Sequence, residues 1–174
     1  MLSRSSTVAV FAILLGGQAL AQPSGKLTDP QIAHIAYTAG QIDIGAAKQA
    51  QSKAANKDVR AFADDMVRDH TAVNQQALDL VKKLNVKPED NPTSQKLVKQ
   101  AAEERNRLAK LSGTAFDKAY IENEVAYHKT VNGALSNTLI PSASNQDLKT
   151  LLQTGLKIFQ GHEQHAEQLA TTLK

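Results

Sequence analysis

The chain has no cysteine and no tryptophan, and aromatic residues make up only 4% of its 174 residues. Without cysteine there is no disulfide framework, no thiolate zinc site, no cysteine nucleophile and no lipidated cysteine. Few aromatics, with abundant Ala, Leu, Gln and Lys, favour helices over sheets. Strand-like alternation is missing throughout, and so is any tandem repeat. Neither sign of charge dominates: 20 Lys and Arg against 17 Asp and Glu leave a formal net charge of +3. No basic cluster is interleaved with aromatics, so nucleic-acid binding is not expected. A P-loop, a dinucleotide glycine pattern and a Ser-His-Asp motif are missing too. What is present, 41% hydrophobic and 21% charged residues, is the composition of a folded globular chain.

The one long apolar run lies at the amino terminus. In MLSRSSTVAVFAILLGGQALA (1–21), Arg4 precedes the run Val8 to Leu15, and Ala19-Leu20-Ala21 follows with small residues at the positions a signal peptidase reads. This is the pattern of a secretory signal peptide. The run is shorter than the roughly 20 apolar residues that span a bilayer. We therefore expect an exported protein, periplasmic or envelope-associated, with no membrane span after cleavage. Residues 22–28 read as a polar tether and 29–174 as the folded domain.

Helical periodicity organises that domain. Asp29-Pro30 reads as an N-cap followed by proline, opening a helix to about Ala55 through Ile32, Ala36, Ala39, Ala46 and Ala50. Asn56 or Asp58 starts a second helix, with Val59, Phe62, Ala63, Met66, Val73, Ala77, Leu80 and Leu84 on one stripe. The link between them is so short that they must form an antiparallel hairpin. Residues 85–93 form a loop, and Ser94 is expected to cap a shorter helix through Leu111. Two further helices, 114–139 and one capped by Asn145, are joined by the turn 140–144. The expected fold is all-α: a ferritin-like four-helix bundle of two antiparallel hairpins, joined by a long crossover that contains a short helix.

Certain polar residues fall on the apolar stripes. Asp43 continues the first, His70 sits between Met66 and Val73, Glu124 and His128 continue Phe116 and Tyr120, and His162 lies between Phe159 and Ala166. His165 lies at the edge of the last stripe. At about 1.5 Å per residue, Asp43, His70 and His128 stand about 20–21 Å above one end of the bundle, and Glu124 and His162 about 26 Å. Four helices thus bring ionisable groups to one middle layer.

Two readings follow. In the first, the layer is structural: an Asp43–His70 pair and a Glu124–His162 pair fix helix register. In the second, Asp43, His70, Glu124, His128 and His162 hold a divalent metal ion, iron, zinc or manganese, as helical bundles do with imidazoles and carboxylates. A di-iron oxidase site would need Glu-x-x-His on two helices, but positions 67 and 159 are Val and Phe. His162-Glu163-Gln164-His165 does not meet the HExxH spacing of zinc proteases.

The stretches KAANKDVRAFADDMVRDHTAVNQ (53–75), LAKLSGTAFDKAYIENEVAYH (108–128) and LKIFQGHEQHAEQLATTL (156–173) resemble an exported bacterial family, the domain of unknown function numbered 4142. The resemblance covers roughly residues 28–173. It implies a ferritin-like fold and places His70, His128 and His162 at recurring histidine positions, with Asp69, Asp117 and Tyr120 also matching. Asp43 stands where members carry Glu. The functional expectation is a non-catalytic, stress-linked envelope or periplasmic module, with a protein partner or as a homo-oligomer. The alternative is a metal-binding ferritin-like protein with weak oxidase chemistry. Amino-terminal sequencing of the exported protein is expected to begin at Gln22; recovery of an intact Met1 chain from the membrane fraction would contradict the assignment.

Overall fold

A computed structural model describes residues 26–173. The expected signal peptide and residues 22–25 of the tether lie outside the described residues. Six helices follow in order: α1 Asp29–Lys53, α2 Lys57–Lys83, α3 Pro92–Ala109, α4 Gly113–Ala134, α5 Ile140–Ser142 and α6 Gln146–Thr172, with a π-helical turn, Leu135–Leu139, between α4 and α5. Among the described residues there is no strand, and no helix is long and apolar enough to cross a membrane.

The architecture is the expected one: hairpin α1–α2 packs on hairpin α4–α6, chiefly through α2 against α6. Helix α3 is the crossover and runs parallel to α1. At its start, Asn91 Nδ2 donates to the Gln31 carbonyl. At its end, Lys53 Nζ donates to the Ala109 carbonyl at 2.8 Å. Its 18 residues span about 27 Å, enough to carry the chain back along the bundle. Helix α3 covers the outer face of α1, where His34, Thr38, Gln41 and Ile42 face Ser94, Val98, Ala101 and Arg105; Ala33, Ile35, Ile44 and Ala47 are buried beside the expected stripe.

Several boundaries differ from the sequence reading, each for a local reason. Thr28, not Asp29, caps α1, in a reciprocal capping box with Gln31. Asn91, not Ser94, caps α3, which lets Pro92 take the first turn where its missing N–H is harmless, and Ser94 reciprocates from the third position. The helix expected to end at 139 continues to Ser142, because the π turn widens the ladder just before Pro141, which has no N–H to donate.

Asp29 is thereby released for a different task. Its carboxylate accepts from the Ser144 and Asn145 amides at 2.8 and 2.9 Å, clamping the turn before α6. Asp117, near the start of α4, does the same for the other hairpin. It accepts from the Ala55 and Asn56 amides at 3.0 and 2.8 Å. Each hairpin therefore holds the turn of the other. The two clamped turns are alike in sequence, Ala54-Ala55-Asn56-Lys57-Asp58 and Ala143-Ser144-Asn145-Gln146-Asp147, and in each the Asn caps the following helix.

The apolar core falls into two parts. One half holds Val59, Phe62, Met66, Leu108, Phe116, Tyr120 and Ile121, all fully buried. The other holds Ile32, Ile35, Leu135, Leu139, Leu148, Leu152 and Phe159. Asp117→Ala would remove a buried carboxylate and leave two half-exposed turn amides without their acceptor, so it is expected to destabilise the fold by about 1–3 kcal/mol in all. Chemical denaturation measures this, and a change under about 0.5 kcal/mol, the size of an ordinary surface substitution, would show that the clamp is idle.

Candidate metal centre

Between the two halves of the core lies a polar layer. All five candidate residues are in it, and each is buried: Asp43, Glu124 and His128 are 1% exposed, His70 2% and His162 7%. Asp43 projects from α1, His70 from α2, Glu124 and His128 from α4, and His162 from α6. The equal heights expected from residue counting are realised. One nitrogen each of His70, His128 and His162 lies within 4.8 Å of the others, and the same limit joins Asp43, Glu124 and His128. The three imidazole centroids are 5.3 to 5.7 Å apart.

The expected pairing is only partly present. Asp43 Oδ2 lies 3.3 Å from His70 Nε2 and 3.5 Å from His128 Nε2. Neither contact has hydrogen-bond alignment, and both Asp43 oxygens are buried without a partner. Glu124 does not meet His162: its Oε2 is 3.5 Å from His128 Nδ1, one helical turn along α4. His162 turns instead to α2, where its Nε2 donates to Asp69 Oδ2 at 3.0 Å. Four residues separate Glu124 from His128, so the two share a face, and that same-helix contact leaves Glu124 turned away from α6. His165, from the run that superficially suggested a zinc protease, faces Phe62 with ring centroids 5.2 Å apart.

These partners fix the tautomers. His128 Nδ1 is 3.0 Å from the Glu124 carbonyl, which only accepts, so Nδ1 carries the proton and Nε2 presents a lone pair. His162 Nε2 carries its proton toward Asp69, and Nδ1 presents the lone pair. Those two free nitrogens are buried and without a hydrogen-bond partner, as are both nitrogens of His70. His70 is held by packing, stacked on Phe159 at 4.4 Å and 8° between planes. Asp69 is the functional residue that stripe reasoning missed. It lies off the core stripe, and its only signal in the sequence was its match to the family pattern. Burial would raise its carboxyl, but hydrogen bonds from Arg68 and His162 hold it below the usual range.

Burial decides the protonation of the rest. It pushes the Asp43 carboxyl up to about 8. Burial, and then the charge of Asp43, raise Glu124 well above its ordinary range. Burial lowers His70 well below its ordinary value, reinforced by the neighbouring imidazoles. Burial also lowers His128 to about 4, and lowers His162 against the pull of Asp69. The metal-free layer therefore holds neutral imidazoles beside protonated carboxyls.

This protonation pattern has a consequence for stability. A raised carboxyl binds its proton more tightly in the folded state. The stability from Asp43 is fully present below its unfolded value of 3.8 and is lost as pH rises toward about 8. A lowered imidazole acts in the opposite sense: its contribution is present above 6.5 and is lost as pH falls, toward about 4 for His128. Below 6.5 the two sets of groups act in opposite senses; above it only the carboxyls act. The protein without added metal is expected to melt lower at pH 8 than at pH 6.5. A melting temperature that stays flat or rises between pH 6.5 and 8 would contradict this.

Comparison with known proteins bears on the fold. A solved structure titled "CopM in the Cu(II)-bound form" is similar with a TM-score of 0.66 at 14% identity, over 86% of this chain and 100% of that one. No curated protein matches the sequence. The family model described as "Domain of unknown function (DUF4142)" matches residues 16–169, and the chain belongs to that family.

Proposed function

We propose that this protein is an exported metal-binding protein that holds one divalent transition-metal ion among His70, His128 and His162, with Asp43 and Glu124 beside it. The observation that carries the reading is the set of unpartnered buried nitrogens. Buried polar atoms in folded proteins are nearly always hydrogen-bonded. Here three histidines on three helices each bring one nitrogen to within 4.8 Å of the others, and His128 Nε2, His162 Nδ1 and both His70 nitrogens are buried without a partner, while the opposite nitrogens of His128 and His162 are tied down. Anchoring one imidazole nitrogen so that the other can ligate is how metal-binding histidines are oriented, and Asp69–His162 has the form of a carboxylate–histidine–metal relay. A purely structural layer would instead have paired these atoms with each other.

The donor set favours some ions over others. Neutral imidazoles suit copper, zinc, iron and nickel, and divalent affinity rises from manganese to copper. We therefore place Cu(II) first and Zn(II) second, ahead of iron and manganese. The Cu(II)-bound state named for the structural neighbour agrees with this order. The carboxyls of Asp43 and Glu124 are positioned to lose their protons and balance the charge of an ion, so binding should strengthen with pH. The reading is of binding rather than turnover.

The test is thermal unfolding of untagged protein with Cu(II), Zn(II) or Mn(II), alongside elemental analysis of the protein as purified. An ion at 100 times its dissociation constant stabilises the folded state by about 2.7 kcal/mol. The increment should be largest for Cu(II) and abolished in both His70→Gln and His162→Gln. Asp69→Asn keeps all three imidazoles but loosens His162, and should weaken binding by about 10–100-fold. If no ion raises the melting temperature, or the increment survives in both histidine variants, the layer is structural and the proposal fails.

A further inference from the structure

The two halves of the core are not equally filled. The Phe62–Tyr120 half is closed. The other half contains a cavity of about 640 Å³ whose inner end is formed by His70 and His128. Its walls are apolar, with Ala36, Val73, Val131, Leu135, Leu152 and Phe159 among them. Small residues on opposite helices, Ala36 on α1 and Ala134 on α4, keep it open. This explains why Val73 and Ala77 on the α2 stripe, which line the cavity, are only partly buried, whereas Val59, Phe62 and Met66 on the same stripe are fully so. Well-packed interiors leave few voids larger than a water molecule. A volume of this size lies within the roughly 300–1,000 Å³ of small-molecule sites.

The rim has a definite sign. Helices α1 and α4 make few contacts with each other, and the cavity reaches the surface past the start of α3. There Lys26 and Lys96 line it, both exposed, with Thr93 and Gln100. Among the described residues lining the cavity there is no aspartate or glutamate. An apolar interior under a cationic rim is complementary to an amphiphilic anion.

We infer that this cavity is a binding site for one medium-chain alkyl carboxylate, its chain buried between α1, α4 and α6 and its head group at Lys26 and Lys96. The interior offers an alkyl chain apolar burial along its length, and the two ammonium groups keep the carboxylate at the solvent edge. The site does not require the metal ion, because its polar contacts are at the opposite end from the histidines.

The test is titration of the purified protein with a dansyl-labelled undecanoate, followed by fluorescence and by competition with dodecanoate. One saturable site per chain is expected. Ala36→Phe and Ala134→Phe, filling the cavity from opposite walls, should each weaken binding by at least about tenfold, roughly 1.4 kcal/mol. Dodecyltrimethylammonium, with the opposite head-group charge, should compete far less well than dodecanoate. The double variant Lys26→Glu with Lys96→Glu, at exposed positions that do not threaten the fold, should reverse that preference. Binding should persist in a chelator and in His162→Gln, while metal binding should persist in Ala36→Phe, so this inference and the metal proposal stand or fall separately. Any one of three binding results would overturn it: no saturable binding below the micellar concentration of the probe; wild-type affinity in both folded cavity-filling variants; or equal competition by the two detergents. Dimerisation of the wild type that Ala36→Phe abolishes would assign the cavity to a second copy of the chain, and would overturn it equally.

Discussion

The bundle depends on the reciprocal clamping of its two turns by Asp29 and Asp117. Each carboxylate takes two backbone amides from the turn of the other hairpin. Hydrogen bonds to a charged acceptor are shorter and stronger than neutral ones. They also fix position along the bundle axis, which apolar packing does weakly, because a stripe of Ala and Leu can slide by a helical turn and still be covered. With a clamp at each end, the two hairpins have one register. That register brings Asp43, His70, His128 and His162, drawn from four helices, to a common height.

The polar layer divides the molecule thermodynamically as well as spatially. Placing five ionisable groups in a helical core is unfavourable unless they are neutral, paired or ligated. Burial pushes the imidazoles and the two carboxyls toward their neutral forms, and only His128 and His162 gain fixed hydrogen bonds. The layer also separates two different interiors. The half with Phe62, Phe116 and Tyr120 is closed and aromatic, with the Phe116 and Tyr120 rings stacked 6.1 Å apart. The half beyond the histidines is built mainly from Ile, Leu and Ala and is left partly hollow. Rigidity on one side and open volume on the other suit a site that holds an ion beside a cavity.

Much of the fold was legible because its signals are local. The α2 stripe, the short link between the first two helices and the Asn145 cap each depend on residues a few positions apart; the stripe and the cap are found where the sequence places them, and the link, read at 56–58, is found at 54–56. Local reading failed where one residue had two possible partners. Asp29 beside Pro30 has the form of an N-cap, but Thr28 does the capping and Asp29 reaches a turn more than a hundred residues away. Asn91 and Ser94 are both good caps, and Pro92 decides between them. The burial of Ala33 and Ala47 beside the α1 stripe was hidden for another reason: alanine is as common on a helix surface as inside.

By itself the sequence determined the all-α class, the two hairpins, the crossover and the five ionisable residues of the middle layer. These follow from helical period, capping chemistry and a fixed rise per residue, all properties of the chain along its own length. The tertiary structure decided which of those residues face one another. It joined His162 to Asp69 rather than to Glu124, kept Glu124 on His128, left four imidazole nitrogens of the layer without partners and opened a cavity beside them. Height along a helix can be counted from sequence, but the rotation of each helix about its axis is set by packing against its neighbours. That rotation separates a set of private pairs from a converging set of donor atoms.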